Sequence, residues 1–327
     1  MHRRHMLSLT AGAALFGYVQ PGAFAQGAAV KRIGVLSFLP RERWPGGWDR
    51  GFNDLPRHGW VEGRNLQFEY RDGVTDPQGL YGAARRLVES KVDLVAALLD
   101  DAAFAAKGAT TTIPIVAISA FPVEIGLVQS LSRPGGNITG VSYQANDENG
   151  RVLALLRDIR PGLARVGVPV NLGELGWRIW FDGYQKPAGP AGIRMVPLPL
   201  PWTPNDIAPM LEVAAREQVQ ALIMPILPLL SKAVWQQITA WAIEHKVITR
   251  GPLQWRNDVV MTFGTNLEEL GRLFVAQIDR MLRGASPAET PFLQVNTWET
   301  IVNLPLARAV GWPIPRSVLL QATQVIE

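Results

Sequence analysis

The chain has 327 residues, no cysteine and a formal net charge of +4. This length suffices for a buried core and favours two domains, while the absence of cysteine excludes a disulfide framework. The small charge, without a stripe of Lys and Arg, argues against nucleic-acid binding, and with only four histidines we expect neither a metal site nor a cofactor.

Residues 1–25 have the pattern of a cleaved export signal. Arg3 and Arg4 precede an apolar stretch at residues 6–19, and a small-residue pattern ends at Ala25. The stretch is shorter than the roughly 20 residues that a membrane-spanning helix needs. We therefore predict cleavage near Ala25 and a periplasmic protein, whose formal charge falls from +4 to +2 with the loss of the two arginines. The paired arginines favour the twin-arginine route, with the general export route as the alternative.

The first half of the mature chain alternates short apolar strands with helices. Predicted strands occupy residues 31–38, 65–71, 92–99, 115–118 and 138–141. Predicted helices occupy residues 49–58, 80–89, 102–110 and 125–131. The continuous apolar run at 92–99 is typical of a central strand covered on both faces. This alternation requires a parallel sheet with right-handed crossovers.

The same pattern restarts near residue 142. Predicted strands occupy residues 165–170, 193–196, 221–224, 247–248 and 259–263. Predicted helices occupy residues 149–160, 206–218, 230–245 and 267–282, with a weaker helical signal at 172–191. The tail at 292–327 alternates again. Two such halves in one exported chain predict two lobes with a cleft between them.

Motifs along most of the mature chain carry a family resemblance. They are GWVEGRNL at 59–66, FAAK at 104–107, TIPIV at 112–116, GLV at 126–128, RPGGNITG at 133–140, GTNLEEL at 264–270 and ARAVGWPIP at 307–315. With these motifs the sequence resembles the ABC-transporter substrate-binding proteins of the periplasmic-binding-protein type I fold. The resemblance is to the branch that includes tryptophan- and phenylalanine-type binders.

The resemblance implies an α/β fold of two Rossmann-like lobes with parallel sheets and a cleft between them. Three chain crossings are expected, near 142–144, 261–264 and 290–293. The N-terminal lobe would then comprise residues 26–142 and 264–291, and the C-terminal lobe residues 143–263 and 292–327. The implied partners are a small-molecule ligand, an ABC permease and its ATPase, and we expect a monomer.

Ligands of open parallel sheets bind at the carboxyl ends of the strands, which places the first candidate residues. Ser37 and Phe38 end the first predicted strand. Trp44 and Trp48 follow in a loop rich in Gly and Pro, where exposed rings would cover the ligand as a lid. Docking on the permease is the alternative role for these two tryptophans.

Asp100 and Asp101 follow the strand at 92–99. In the family this loop commonly carries a small residue followed by Thr or Ser, which grip a ligand carboxylate together with a helix N-terminus. Leu99 and Asp100 depart from that pattern. Two interpretations are open: one aspartate caps the helix predicted from residue 102, or the pair faces an amine or hydroxyl of the ligand.

Four further candidates follow other predicted strands. Phe121 stands after the strand at 115–118, where it would either stack on a flat ligand or pack in the core. Asn171 matches an asparagine common in the family, with a turn-forming role as the alternative. Leu227 and Trp255 lie in later loops of the second half.

The sequence contains none of the common enzyme motifs for nucleophilic serine, phosphate-binding or metalloprotease sites. We therefore predict a solute-binding protein without catalytic residues, which delivers an amino-acid-like or aromatic molecule to an ABC importer. A periplasmic sensor for a membrane receptor and, less favoured, an exported hydrolase are the alternatives.

Overall fold

The computed structural model describes residues 30–44, 46–74, 76–143, 145–170, 177–200, 206–224 and 230–327. The predicted signal peptide and the candidates Asn171 and Leu227 lie outside the described residues. Within the described ranges, no helix has the length and apolar character needed to cross a membrane.

Strands and helices alternate along the described chain. The strands are β1 (Lys31–Ser37), β2 (Leu66–Arg71), β3 (Leu94–Leu98), β4 (Ile115–Ser119), β5 (Ile138–Ser142), β6 (Arg165–Val170), β7 (Arg194–Pro199), β8 (Ala221–Ile223), β9 (Ile248–Gly251), β10 (Met261–Thr265), β11 (Leu293–Gln294), β12 (Trp298–Asn303) and β13 (Gln324–Ile326). The α-helices are α1 (Gly46–Asn53), α2 (Pro77–Glu89), α3 (Asp100–Ala109), α4 (Ala145–Ile159), α5 (Trp177–Ala188), α6 (Ala208–Arg216), α7 (Lys232–Glu244), α8 (Leu267–Leu282), α9 (Leu304–Val310) and α10 (Arg316–Leu319).

The strands form two sheets. The first has the order β11-β5-β4-β3-β1-β2, and every pairing in it is parallel. The second has the order β13-β12-β10-β9-β8-β6-β7, in which only β10 and β12 pair antiparallel among the described strands. The predicted α/β fold of two lobes is confirmed; both sheets were predicted to be parallel, and the pair of β10 with β12 is the exception among the described strands.

Helices cover both faces of the first sheet, as the apolar run of β3 predicts. Leu94, Ala96 and Leu98 of this strand pack in a core cluster with residues of α1 and α8. Val95 and Ala97 alternate to the other face, where they pack with residues of α2 and α3. The second sheet is layered in the same way, with α4, α5 and α9 on one face and α6 and α7 on the other.

Helix α8 packs on the first sheet and is hydrogen-bonded to it, although it follows β10 of the second sheet in the chain. The Gln277 side chain is fully buried, and its Nε2 donates to Gly140 O at 3.1 Å and to Pro291 O at 2.7 Å. Strand β11 then pairs with β5. The chain therefore passes to the second sheet at residues 295–297, a few residues later than the crossing predicted at 290–293.

One predicted helix, at residues 125–131, is wrong. The described chain there forms consecutive turns, in which Ile125 N donates to Phe121 O and Val128 N donates to Pro122 O, both at 3.0 Å. Gly126 has φ 71°, a left-handed conformation that ends a helical turn. The apolar periodicity of this segment instead reflects burial of Leu127 and Val128 against α2 and α3.

Candidate functional site

The carboxyl edge of the first sheet, where its parallel strands end, carries three buried serines. Ser37, Ser119 and Ser142 are the last residues of β1, β4 and β5 and are at most 2% exposed. Ser119 and Ser142 are partners in the register of β4 and β5. Ser37 Oγ accepts a hydrogen bond from Leu39 N at 3.0 Å. The predicted candidate Ser37 thus lies on the same edge as the other two serines.

Asp100 binds across this edge instead of capping its own helix. Helix α3 begins at Asp100, and Leu99 is its N-cap residue with φ 77°. The interpretation of Asp100 or Asp101 as an N-cap is therefore wrong, because the helix begins two residues earlier than predicted. The Asp100 carboxylate instead accepts from Ser119 Oγ and from Ala120 N, the latter at 3.1 Å.

The environment of Asp100 favours its protonated form. Burial, and to a smaller extent the negative charge of Asp101, raise the pKa of Asp100 to about 7. Hydrogen bonds from Ser119, Ala120 N and Phe121 N act in the opposite direction. No cationic side chain contributes to this balance. Asp100 is thus an acid without a countercharge from the described part of the chain.

Phe121 connects the two sheets' layers. Its side chain is 3% exposed and forms a small apolar cluster with Ala120. Ile179 and Trp180, which belong to α5 of the second sheet's layers, pack against this cluster. Ligand stacking and core packing stay the two predicted roles of Phe121. Its contact lies between the two layered units.

Trp44 and Phe38 lie in the core of the first unit. Trp44 is 6% exposed, its Nε1 donates to Leu39 O at 3.0 Å, and its ring centroid lies 5.8 Å from that of Phe52. Trp48 is 2% exposed in the same cluster. The expectation of exposed lid tryptophans is wrong, because α1 packs against α8 and β2 and encloses both rings. Phe38 packs on the opposite face, between β1 and α2.

Trp255 also packs away from the strand ends of the first sheet. It lies in a short 3-10 helix, Leu253–Trp255, and stacks on Trp235 with 5.3 Å between ring centroids. Both rings belong to the cluster beneath α6 and α7. The structure thus brings Ser37, Asp100, Asp101 and Phe121 to one edge and leaves Trp44 and Trp255 in two separate cores.

The carboxyl edge of the second sheet holds a buried ion pair that sequence reasoning missed. The Arg250 guanidinium donates to Met224 O at 3.4 Å and to Phe263 O, so it lies across the ends of β8, β9 and β10. Glu148, near the start of α4, has its Oε2 3.7 Å from Arg250 Nη2. Both side chains are less than 10% exposed.

Polar atoms around this pair have unused hydrogen-bonding capacity. Burial raises the pKa of Glu148 to about 7, against the opposing effects of Arg250 and of a hydrogen bond from the Thr265 backbone. Burial also raises the pKa of Tyr184. Tyr184 Oη, both amide atoms of Asn149 and Arg250 Nε have no hydrogen-bond partner in the described part of the chain. Buried polar groups of this kind normally bind a partner, and a solute or water would supply it here.

An aromatic contact joins the two edges. The Trp180 ring meets the Tyr184 ring edge to face, with 5.1 Å between centroids, and Trp180 also packs on the Phe121 cluster. The candidate site therefore runs from Asp100 through these three rings to the Glu148–Arg250 pair. Two sequence signals mark the missed pair: Glu148 follows the first predicted crossing by a few residues, and Arg250 is a charge at the end of an apolar strand.

The comparisons with known proteins identify the family. A family model described as "ABC transporter substrate binding protein" matches residues 47–326. The chain belongs to this family. The family predicted from the sequence motifs is confirmed.

Individual relatives agree with this assignment. A tyrosine-binding protein of Clostridioides difficile strain R20291 is 26% identical over 257 residues, which cover 76% of this chain and 72% of the relative. Among solved structures, a conserved domain protein of Vibrio cholerae O1 biovar El Tor has a TM-score of 0.82 at 22% identity, covering 90% of this chain and 99% of that chain. An ABC domain from Streptococcus pneumonia in complex with L-Trp has a TM-score of 0.81 at 23% identity, covering 91% and 100%. These structures share the periplasmic-binding-protein type I fold.

Proposed function

We propose that this chain is an extracytoplasmic solute-binding protein that captures a small molecule between its two units and delivers it to an ABC importer. The observation that carries the proposal is the aromatic contact of Phe121 with Trp180, which joins the carboxyl edges of the two sheets. Polar groups flank this contact on both sides, at the half-buried Asp100 and at the buried Glu148–Arg250 pair. Apolar side chains with a few convergent polar groups are the typical lining of ligand sites.

The proposed capture includes closure of the two lobes around the solute. A solute that touches both edges makes more contacts when the edges are close together than when they are apart. Its binding therefore shifts the population toward the closed form by the difference in binding free energy. In our proposal the permease and its ATPase recognise the closed, solute-loaded form of the protein. The protein itself performs no chemistry on the solute.

The proposed lobes keep the predicted bounds with two changes at strand ends. Residues 26–142 and 264–291 form the first lobe and residues 143–263 and 292–327 the second, except that β11 joins the first lobe and the end of β10, residues 264–265, joins the second. In our proposal Ser37, Asp100, Asp101 and Phe121 contribute to the site from the first lobe, and the predicted candidates Asn171 and Leu227 lie outside the described residues. In the proposal Trp44, Phe38 and Trp255 have no contact with the solute and stabilise the cores in which they pack.

A thermal-shift screen tests the proposal. Mature protein is heated with amino acids, aromatic acids, amines, sugars and purines, each at millimolar concentration. A solute at 100 times its dissociation constant stabilises the folded state by about 2.7 kcal/mol. We expect one chemical class to raise the melting temperature. The absence of a shift with every class would contradict solute binding.

A second assay distinguishes delivery from sensing. A candidate ABC permease and its ATPase are reconstituted in vesicles, and ATP hydrolysis is measured with the solute-loaded protein outside. An importer predicts stimulation by the loaded protein over the empty protein. Unchanged hydrolysis, with solute binding intact, would contradict the importer role and leave the binding role standing.

A further inference from the structure

Asp100 occupies a set of donors that is suited to an anion. Ser119 Oγ and Ala120 N, at the end of β4, donate to its carboxylate. A hydroxyl and a backbone N–H group at a strand end could equally bind a ligand carboxylate by charge-assisted hydrogen bonds. Here an internal carboxylate already accepts these hydrogen bonds. A ligand carboxylate would have to displace it and would meet the charge of Asp101 as well.

Asp100 has no cationic partner in the described part of the chain. Among the described residues, no Lys, Arg or His forms an ion pair or hydrogen bond with Asp100. An opposite charge nearby favours the ionised form of a carboxyl group that is partly shielded from water. An ammonium group of a solute would supply that charge, and it would also form the charge-assisted hydrogen bonds that a carboxylate accepts.

Apolar surface begins directly beside this acid. Phe121, whose backbone N–H donates to Asp100, is the residue that contacts Trp180 across the two layers. Aromatic rings bind flat apolar groups and, at their faces, cations. Farther along the same contact, Tyr184 Oη and the Asn149 amide are buried, fully enclosed and without partners in the described residues. These neutral groups suit a hydroxyl or ring nitrogen of a solute.

We infer that the solute is an amine with an aromatic or otherwise apolar body and without a carboxylate beside the amine. The ammonium group binds Asp100, the body lies along Phe121 and Trp180, and a neutral polar group at the far end reaches Tyr184 and Asn149. This inference rests on the proposed solute-binding function. The inferred solute differs from an amino acid at the Asp100 end of the site, where it has an ammonium group and no carboxylate.

Matched solutes test the inference by calorimetry. Tryptamine, L-tryptophan and indole-3-acetate share one ring system, and tyramine, L-tyrosine and 4-hydroxyphenylacetate share another. We expect at least one amine to bind at least tenfold more tightly than its amino acid, and both acids to bind more weakly still. Equal or tighter binding of an amino acid or acid would overturn the inference while supporting solute binding. So would a thermal-shift screen in which only solutes without a cation raise the melting temperature.

Variants assign the effect to the acid. Asp100→Thr removes the charge and frees the donors, so we expect amine affinity to fall at least tenfold and amino-acid affinity to rise. Asp158→Asn, which removes an exposed carboxylate from α4, is the matched control and should change neither affinity. An Asp100→Thr protein that folds and binds the amine as tightly as the unmodified protein would overturn the placement of the amine. If no solute of any class binds, the proposed function itself falls.

Discussion

Asp100 shows how one side chain determines the chemistry of an edge. Its position after a buried strand was visible in the sequence, and so was its departure from the family pattern. Its partners were not, because Ser119 and Ala120 lie 19 and 20 residues further along the chain and reach it only through the pairing of β3 with β4. The N-cap interpretation failed because local preference for Asp before a helix carries no information about such distant donors.

Asp100→Asn should change how stability depends on pH. The folded protein holds a proton on Asp100 up to about pH 7, whereas the unfolded chain releases it near 3.8. Stability is therefore lost as pH rises from about 4 through 7. Asp101 is the charged neighbour that contributes to this shift. Between pH 5 and pH 8 the unfolding free energy of the unmodified protein should therefore fall by about 2 kcal/mol more than that of the variant.

Urea denaturation at pH 5 and pH 8 measures this difference. Asp158→Asn, at an exposed position, serves as the control for removing a carboxylate without burial. A difference between the two pH values that is the same for Asp100→Asn and the unmodified protein would contradict a protonated Asp100 in the folded state.

Trp44→Ala separates a core tryptophan from a lid. Truncation of a buried Trp typically costs about 3–5 kcal/mol, and Trp44 packs among Trp48, Phe52 and Tyr70. We expect a large loss of unfolding free energy and, in protein kept folded at low temperature, solute affinity within about twofold of the unmodified protein. Weaker binding with an unchanged melting temperature would instead restore the lid interpretation.

At the scale of elements, periodicity predicted the strands and helices from β1 to α8, whereas the elements of the tail after residue 292 were not predicted individually. The central strands were clear because burial on both faces requires continuous apolar runs, and α8 was predicted with the bounds that the structure gives. The prediction of a helix at 125–131 is wrong because the apolar residues of this segment are buried although the backbone forms turns. A Gly with positive φ, Gly126, interrupts that segment. Apolar spacing reports burial, and it indicates a helix only where the backbone permits one.

Gln277→Leu tests how α8 is held on the first sheet. The substitution leaves Gly140 O and Pro291 O without the donor Nε2 in a fully buried site. Loss of a buried hydrogen-bond donor costs about 1–3 kcal/mol, and we expect a decrease of that size in the unfolding free energy. Gln237→Leu on the exposed face of α7 is the control. Equal stability of the two variants would contradict this anchoring role.

At the scale of the whole molecule, the sequence predicted the two sheets and the chain's return between them, because the family motifs span both halves. It did not predict the Glu148–Arg250 pair. These residues are 102 positions apart in the chain and meet only where α4 crosses the ends of β9 and β10. The candidate site residues of the second unit thus come together only through tertiary packing, whereas those of the first follow strands that the sequence already locates.

Small-angle X-ray scattering tests the central claim that one solute closes the two units. The panel solute with the largest thermal shift is added at saturation, and the radius of gyration is compared with that of the solute-free protein. We predict a smaller radius with solute, and a smaller change in Phe121→Ala, which loses the contact with Trp180. A solute that raises the melting temperature and leaves the radius of gyration unchanged would contradict capture by closure.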